Sequence, residues 1–192
     1  MAEGKLIIIC APSGAGKTTI VKYLLSKELP LQFSVSATTR PIRDNEIDGK
    51  DYYFLNKEDF LHKIAAKEFI EFEEVYQGSF YGTLRSEMIR IWASGSQIIF
   101  DLDVQGGLHL QRKYPNNSLS IFIAPPSLEI LKERLTHRGT NDDRDIETRI
   151  NKAKSELTFS HNFDHQVIND DLDRACAEVE ELVKKFLFKD IK

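Results

Sequence analysis

The chain opens on a short unbroken apolar run, Leu6, Ile7, Ile8, Ile9 and Cys10. A run of that length without alternation is the pattern of a parallel strand buried on both faces. The apolar spacing then changes, and Ile20, Tyr23 and Leu24 fall on one side of a helix, so the opening reads as the start of a βαβ unit. Residues 97–101 (QIIFD) and 119–123 (LSIFI) repeat the buried-strand signature, and 166–169 (QVIN) is a weaker fourth. Helices are predicted between them. Ser127, after Pro125 and Pro126, is placed to cap a helix with Glu129 in its first turn and Leu128, Leu131 and Leu135 on its apolar stripe. Leu172, Cys176, Val179, Val183 and Phe186 give the final helix the same spacing.

Two stretches interrupt this alternation. Residues 34–83, rich in Thr, Tyr, Phe, Asp and Gly, predict an inserted lobe of short strands with one helix near 57–66. Residues 136–149 are polar and charged, with Gly139 as a pivot. The expected architecture is therefore α/β: a three-layer core with a central, mostly parallel sheet and two appendages. A chain of 192 residues fits one such domain. Its core would comprise about 1–33, 84–135 and 150–192, its lobe about 34–83 and a small lid about 136–149.

Composition narrows the partners. A net charge of −4 argues against a general nucleic-acid or acidic-membrane binder, which needs a basic field across a face, so anionic ligands must meet local clusters of Arg and Lys. Cys10 lies in an apolar strand and Cys176 on the apolar side of a helix, and both read as small core residues in a reducing compartment. The first apolar run is too short for a signal-peptide core or a membrane span, and the expectation is a soluble, cytoplasmic protein.

The strongest chemical signal is the string APSGAGKT at residues 11–18, between the first strand and the first helix. In such a loop the backbone N–H groups surround a phosphate, Lys17 bridges the outer phosphates and the Thr18 hydroxyl is placed to ligate Mg²⁺. Ala11 stands where the usual string has glycine, adding a Cβ at a tight turn. Arg40 and Arg43, stiffened by Pro41, form a second anion-directed group. An isolated pair would read as solvated surface arginines, but Tyr52, Tyr53 and Tyr81 in the same lobe add hydroxyl donors.

Asp101 and Asp103 close a strand at the carboxyl edge, where open α/β sheets bind ligands, and an Asp there orients Mg²⁺ directly or through water. Asp103 equally suits the N-cap of the helix that follows, and both roles stay open. Arg134, Arg138 and Arg149 flank the second interruption. They are placed to close over a transferring phosphoryl group, yet spacing alone favours a solvated face paired with Glu133, Asp142 or Asp145. His161 and His165 have the spacing of a metal pair, but no Glu of a zinc-protease motif lies between them and no cysteine is near, so a zinc site is rejected. Composition does not say which of Glu71, Glu73 and Glu74 faces a ligand.

Read jointly, SVSATTRPIR (34–43), DGKDY (48–52), FIE (69–71), YGT (81–83), DLDVQG (101–106), RGT (138–140) and NDD (169–171) resemble the guanylate kinases, in family order and spacing from Lys5 to about Val183. The resemblance implies a P-loop nucleoside monophosphate kinase-like fold and the reaction ATP + GMP ⇌ ADP + GDP with Mg²⁺. It implies that Ala11, Pro12, Ser13, Gly14, Ala15, Gly16, Lys17, Thr18, Thr19, Arg134 and Arg138 hold ATP. Asn169 would meet the adenine side, with an alternative role as N-cap of the last helix. It assigns Arg40, Arg43, Tyr52 and Tyr81 to the GMP phosphate, and Ser36, Glu71, Thr83 and Asp103 to guanine. Lys17, Arg40, Arg43, Arg138 and Arg149 would stabilise the transferring group, with Thr18 and Asp101 at the metal.

The base chemistry agrees with that assignment. Guanine presents N1–H and N2–H₂ as adjacent donors that one carboxylate accepts, while its O6 takes hydroxyl or backbone donors. The partners implied are ATP and GMP, without nucleic acid or membrane, for a monomer or homodimer. Ala11 and a segment at 72–80 about one residue longer than in many relatives depart from the pattern. Two rivals remain at this level: a catalytically inactive guanylate-kinase-like interaction module, disfavoured by retention of Gly14, Gly16, Lys17 and Thr18, and another small P-loop kinase, disfavoured by Glu71, Ser36 and Thr83.

Overall fold

In a computed structural model, which describes residues 4–137 and 143–189, every residue of the first strand, β1 (Leu6–Cys10), is buried. The helix α1 (Lys17–Leu25) and strand β2 (Leu31–Phe33) follow. The chain then builds a second sheet from β3 (Ala37–Thr38), β4 (Tyr53–Phe54), β5 (Phe69–Tyr76) and β6 (Ser79–Leu84), with α2 (Lys57–Ala65) between β4 and β5. It returns through α3 (Arg85–Ala93), β7 (Gln97–Leu102), α4 (Val104–Lys113), β8 (Ser118–Ala124), α5 (Leu128–His137), α6 (Asp143–Leu157), β9 (His165–Ile168) and α7 (Leu172–Phe188).

The main sheet has the order β2-β7-β1-β8-β9, and all its pairings are parallel. Both faces of β1 are covered, which is why its residues need no polar alternation. Ile7 and Ile9 pack with Ile20, Val21 and Leu24 of α1 and with Val179 and Val183 of α7. Leu6, Ile8 and Cys10 face the other way, onto Met88 and Ile91 of α3 and Val104 and Leu108 of α4. Leu172 departs from the expected α7 stripe: it is exposed, and Ala175, Cys176, Val179, Val183 and Leu187 form the buried side.

The second sheet has the order β4-β3-β6-β5 and its own small core, in which Phe60 stacks on Phe69 with ring centroids 4.4 Å apart over Ala37. Asn56 caps α2 by accepting from the Asp59 N–H at 2.8 Å. Ser127 caps α5 through the Ile130 N–H at 3.2 Å. The polar interruption differs from a plain loop, because α6 starts at Asp143 and runs through its later part. Its apolar positions, Ile146, Ile150, Ala153 and Leu157, recur at helical spacing inside a heavily charged string, and Ile150 and Ala153 pack on Leu131 and Leu135 of α5.

Phe60 is fully buried in a cluster too small to collapse around a hole. Phe60→Ala is therefore expected to cost about 3–5 kcal/mol of stability, measured by urea denaturation, whereas Phe60→Leu should cost well under that.

Candidate active site

The parallel register sets Cys10 opposite Leu102, so the loop leaving β1 and the residues ending β7 meet at the carboxyl edge of the sheet. There a cleft of about 480 Å³ lies between this edge, the second sheet and α6. Loop residues Ala11, Pro12, Ser13, Gly14, Gly16, Lys17 and Thr18 line it. The loop turns at Gly14 (φ 92°) and Gly16 (φ 97°). A Cβ at Gly16 would also lie 2.2 Å from Asn169 Nδ2, so that position excludes a side chain twice over.

Asn169 sits behind the loop. Its Nδ2 donates to the Ala15 carbonyl at 2.7 Å, and its own carbonyl accepts from Arg134 Nη2 at 2.9 Å. Neither residue lines the cleft, nor do Ala15, which is in the core, and Thr19, which is exposed on the first turn of α1. The N-cap of α7 is Asp171, accepting from the Arg174 N–H at 2.9 Å, so Asn169 is not the cap. Ala11 is buried in the apolar cluster with Ile9 and Ile123. Lys67 is the one non-glycine with positive φ among the described residues, so the turn at Ala11 uses a conformation that tolerates a Cβ.

Lys17 Nζ lies 2.5 Å from Asp101 Oδ1 and donates to the Leu102 carbonyl at 2.6 Å. Burial works against its charge, but Asp101 outweighs that and holds its pKa above the ordinary lysine value. Thr18 Oγ1 donates to the other Asp101 oxygen at 3.0 Å, so hydroxyl and carboxylate stand side by side. Asp103 is the N-cap of α4, accepting from the Gly106 N–H at 2.8 Å, and it also lines the cleft.

Across the cleft stand Ser36, Arg40, Arg43, Tyr52, Glu71, Tyr81 and Gly82. Tyr52 and Tyr81 meet edge to face at 5.9 Å, and the Arg40 guanidinium lies 4.8 Å over the Tyr52 ring. Glu46 holds both arginine segments. It pairs with the Arg40 guanidinium through both oxygens, one of them 2.7 Å from Nη1, and accepts from the Arg43 N–H at 2.9 Å. The bond to Glu46 raises the Arg40 pKa above its ordinary value. No residue pattern pointed to Glu46, one acid among several in a polar loop.

Glu71 pairs across the strands with Thr83, which is fully buried behind the cleft wall. Only 5% of Glu71 is exposed, and its Oε1 has no hydrogen-bond partner among the described residues; nor has Thr83 Oγ1. A Cβ at Gly106 would fall 2.8 Å from Glu71 Oε2, so the start of α4 comes this close only because that residue is glycine. Burial pushes the Glu71 carboxyl up to about 7, reinforced by the like charges of Asp103 and Glu73, and the Thr83 hydroxyl and N–H, near the carboxylate but outside hydrogen-bond geometry, offset this only in part. Among the three acids of β5, Glu71 and Glu73 line the cleft, while Glu74 is exposed and accepts from the Gly78 N–H at 2.6 Å in the hairpin turn. A register shift between Phe69 and Glu71 sets Glu71, in place of Ile70, opposite Thr83, and a second shift follows between Glu74 and Tyr76.

The third wall is α6. Arg149 Nη1 donates to Ser13 Oγ at 3.1 Å, joining it to the phosphate loop. Lys152 Nζ donates to the Val75 carbonyl at 3.1 Å and lies 3.6 Å from Glu156. Thr148, Lys152 and Glu156 line the cleft and were not singled out from sequence, although Lys152 and Glu156 follow Arg149 at helical spacings of three and seven. Arg138 lies outside the described residues. Lys17, Arg40, Arg43 and Arg149 line the cleft, and Glu71, Glu73 and Asp103 form a separate acidic group on its wall, with Lys152 beside Glu73. The cleft suits a ligand that carries both phosphates and hydrogen-bond donors.

A family model described as guanylate kinase matches residues 3–186. A guanylate kinase of Bacteroides thetaiotaomicron is 49% identical over 187 residues, covering 97% of this chain and 92% of that protein. One from Porphyromonas gingivalis is 45% identical, covering 96% and 99%. Among solved structures, guanylate kinase from Anaplasma phagocytophilum superposes with a TM-score of 0.78 at 28% identity, covering 99% of this chain and 89% of that one.

The raised Glu71 pKa has a consequence for stability. Its folded value of about 7 exceeds the ordinary 4.5, so the folded state holds this proton more tightly, and the stability that proton confers is full below pH 4.5 and lost as pH rises through 7. Glu71→Gln removes that loss. The variant is expected to match the parent near pH 4.5 and exceed it by about 3 kcal/mol at pH 8, measured by denaturant unfolding at both pH values.

Proposed function

This chain belongs to the guanylate kinase family, and from that premise we propose how its cleft transfers the γ-phosphoryl group of ATP to GMP, giving ADP and GDP. The observation that carries the reading is Glu71: a nearly buried carboxylate with an unpartnered oxygen, in a cleft also lined by Lys17, Arg40 and Arg149. We assign Glu71 to the N1–H and N2–H₂ donors of guanine, with Ser36 and Asp103 around the base and Thr83 behind Glu71 on the neighbouring strand. Adenine would set a lone pair at N1 against that carboxylate, and a buried charge left unpaired gives discrimination on the order of 10⁴-fold.

Arg40, Arg43, Tyr52 and Tyr81 hold the GMP phosphate in this reading, with Glu46 keeping the guanidinium of Arg40 in place. The loop N–H groups of residues 11–16, other than Pro12, which has none, and Ala15, which donates to the Pro12 carbonyl, hold the ATP phosphates together with Lys17 and Thr18, while Thr19 donates its N–H to the Gly16 carbonyl behind them. Arg134 and Asn169 serve the ATP side by fixing the loop from behind. Lys17, Arg40, Arg43, Arg138 and Arg149 meet the charge that spreads over the phosphoryl oxygens, and catalysis consists mostly of positioning and neutralisation. Thr18 and Asp101 are adjacent hard oxygen ligands of the kind Mg²⁺ takes, so they fit the metal, which when bound offsets phosphate charge.

The second sheet is the acceptor-binding lobe in this reading, and the segment around 136–149 is the lid. Arg149 and Lys152 on α6 reach the phosphate loop and β5, which supports closure over both substrates and exclusion of water. Among the described residues no helix is long and apolar enough to cross a membrane. Cys10 and Cys176 are buried thiols, in keeping with a reducing, cytoplasmic setting.

Two variants test the assignment. Glu71→Gln keeps one acceptor but turns an amide N–H₂ toward a guanine donor, and should lower kcat/KM for GMP by about 10- to 100-fold while the KM for ATP stays within about twofold. Unchanged GMP kinetics would remove Glu71 from the base site. Lys17→Met should reduce turnover by about 10³-fold or more with the fold retained by circular dichroism, and parent-like turnover would refute its role.

A further inference from the structure

The chain passes from the main sheet to the second sheet within two residues. The Ser34 N–H still donates to the Ile99 carbonyl of β7 at 3.0 Å, whereas Ala37 already pairs with Tyr53 and Gly82 in the second sheet. The chain comes back at Leu84, where β6 gives way directly to α3. Glu87, in the first turn of α3, lies beside both crossings, and only 3% of it is exposed. Its Oε1 accepts from the Val35 N–H at 3.3 Å, and its Oε2 from the Tyr53 hydroxyl at 3.1 Å. Arg90, one turn along the helix, completes the set with Nη2 2.5 Å from Oε1 and Nε 3.2 Å from Oε2. Burial opposes the charge, but Arg90, the Val35 N–H and Tyr53 together hold the carboxyl below the ordinary range.

The residues beside its two partners matter for the chemistry. Val35 precedes Ser36 and Tyr53 follows Tyr52, and both Ser36 and Tyr52 line the cleft. The strands are joined at this point, since the Tyr53 N–H donates to the Ser36 carbonyl at 2.9 Å. Glu87 holds the backbone of Val35 and the side chain of Tyr53, each one residue from a cleft-lining position, so this carboxylate fixes the backbone from which Ser36 and Tyr52 project. We propose that Glu87 is a positioning residue for acceptor binding: it fastens the second sheet to α3 and thereby fixes Ser36 and Tyr52 in the cleft. This rests on the assignment of Ser36 and Tyr52 to GMP given above. Glu87 touches neither substrate in this account, and the phosphate loop does not depend on it.

Steady-state kinetics with ATP and GMP varied separately test this. Glu87→Ala should raise the KM for GMP about tenfold and Tyr53→Phe about threefold, with the KM for ATP within about twofold of the parent in both. In the double variant Tyr53→Phe should add nothing to Glu87→Ala, because the hydroxyl has lost its acceptor. Arg90→Ala, which leaves the carboxylate and both links in place, should shift the GMP KM less than either. If Glu87→Ala does not fold, Tyr53→Phe carries the test alone, since it deletes one hydroxyl from a half-buried ring.

Tyr52→Phe is run in parallel to separate two failures. A raised GMP KM in Tyr52→Phe with none in Glu87→Ala or Tyr53→Phe would overturn the role of Glu87 and leave the acceptor site standing. Equal rises in both KM values would overturn it too, as a general loosening. No effect from any of the three would take down the acceptor-site assignment and this inference with it.

Discussion

The contact between Lys17 and Asp101 ties the phosphate loop to the end of β7 on the main-sheet wall of the cleft. It exists because β1 and β7 are parallel neighbours whose carboxyl ends stop at the same level, Cys10 opposite Leu102. From that edge the other parts follow by short covalent steps. One residue on from Lys17, Thr18 shares the Asp101 carboxylate. Two residues on from Asp101, Asp103 caps α4 and points that helix at β5, where Gly106 leaves room for Glu71. A single strand end therefore sets the positions of Lys17, Thr18 and Asp101 and brings the start of α4 against Glu71.

The cleft is built at a cost to the fold. Glu71 is desolvated with no ion pair among the described residues, and its neighbours Asp103 and Glu73 carry the same sign. The basic residues are treated differently. Arg40 is clamped by Glu46 and stacked over Tyr52, and Lys17 is clamped by Asp101, so these cations are oriented before any anion arrives.

Much of this was legible in the chain because it is local. The continuous run at β1, the glycines of the phosphate loop and the Asp-terminated strand β7 each declare themselves within a few residues. The final helix was visible but its edge was not: Leu172 keeps the spacing and yet faces solvent, because the helix has only just begun there. What was not legible is what depends on partners far apart in sequence. Glu87 acts through Val35 and Tyr53 and Lys152 through Val75, none of which periodicity connects to them, and α6 hid its sparse apolar stripe under charge; Glu46 meets Arg40 and Arg43 nearby, but in a loop with no period to mark it. Asn169 shows the same limit, since its grip on the Ala15 carbonyl spans most of the chain. The resemblance to the guanylate kinases supplied the order of the site residues, and the geometry supplied the reasons Gly16 and Gly106 must lack side chains.

The central claim is that the acidic group of this cleft selects guanine while its basic residues hold two phosphate-bearing substrates for transfer. It is tested most directly by incubating the protein with ATP and Mg²⁺ against GMP, AMP, CMP and UMP in turn and following ADP release. The account predicts rapid release with GMP and rates lower by about three orders of magnitude or more with the other three. Comparable turnover with any other monophosphate, or no release with GMP, would contradict it.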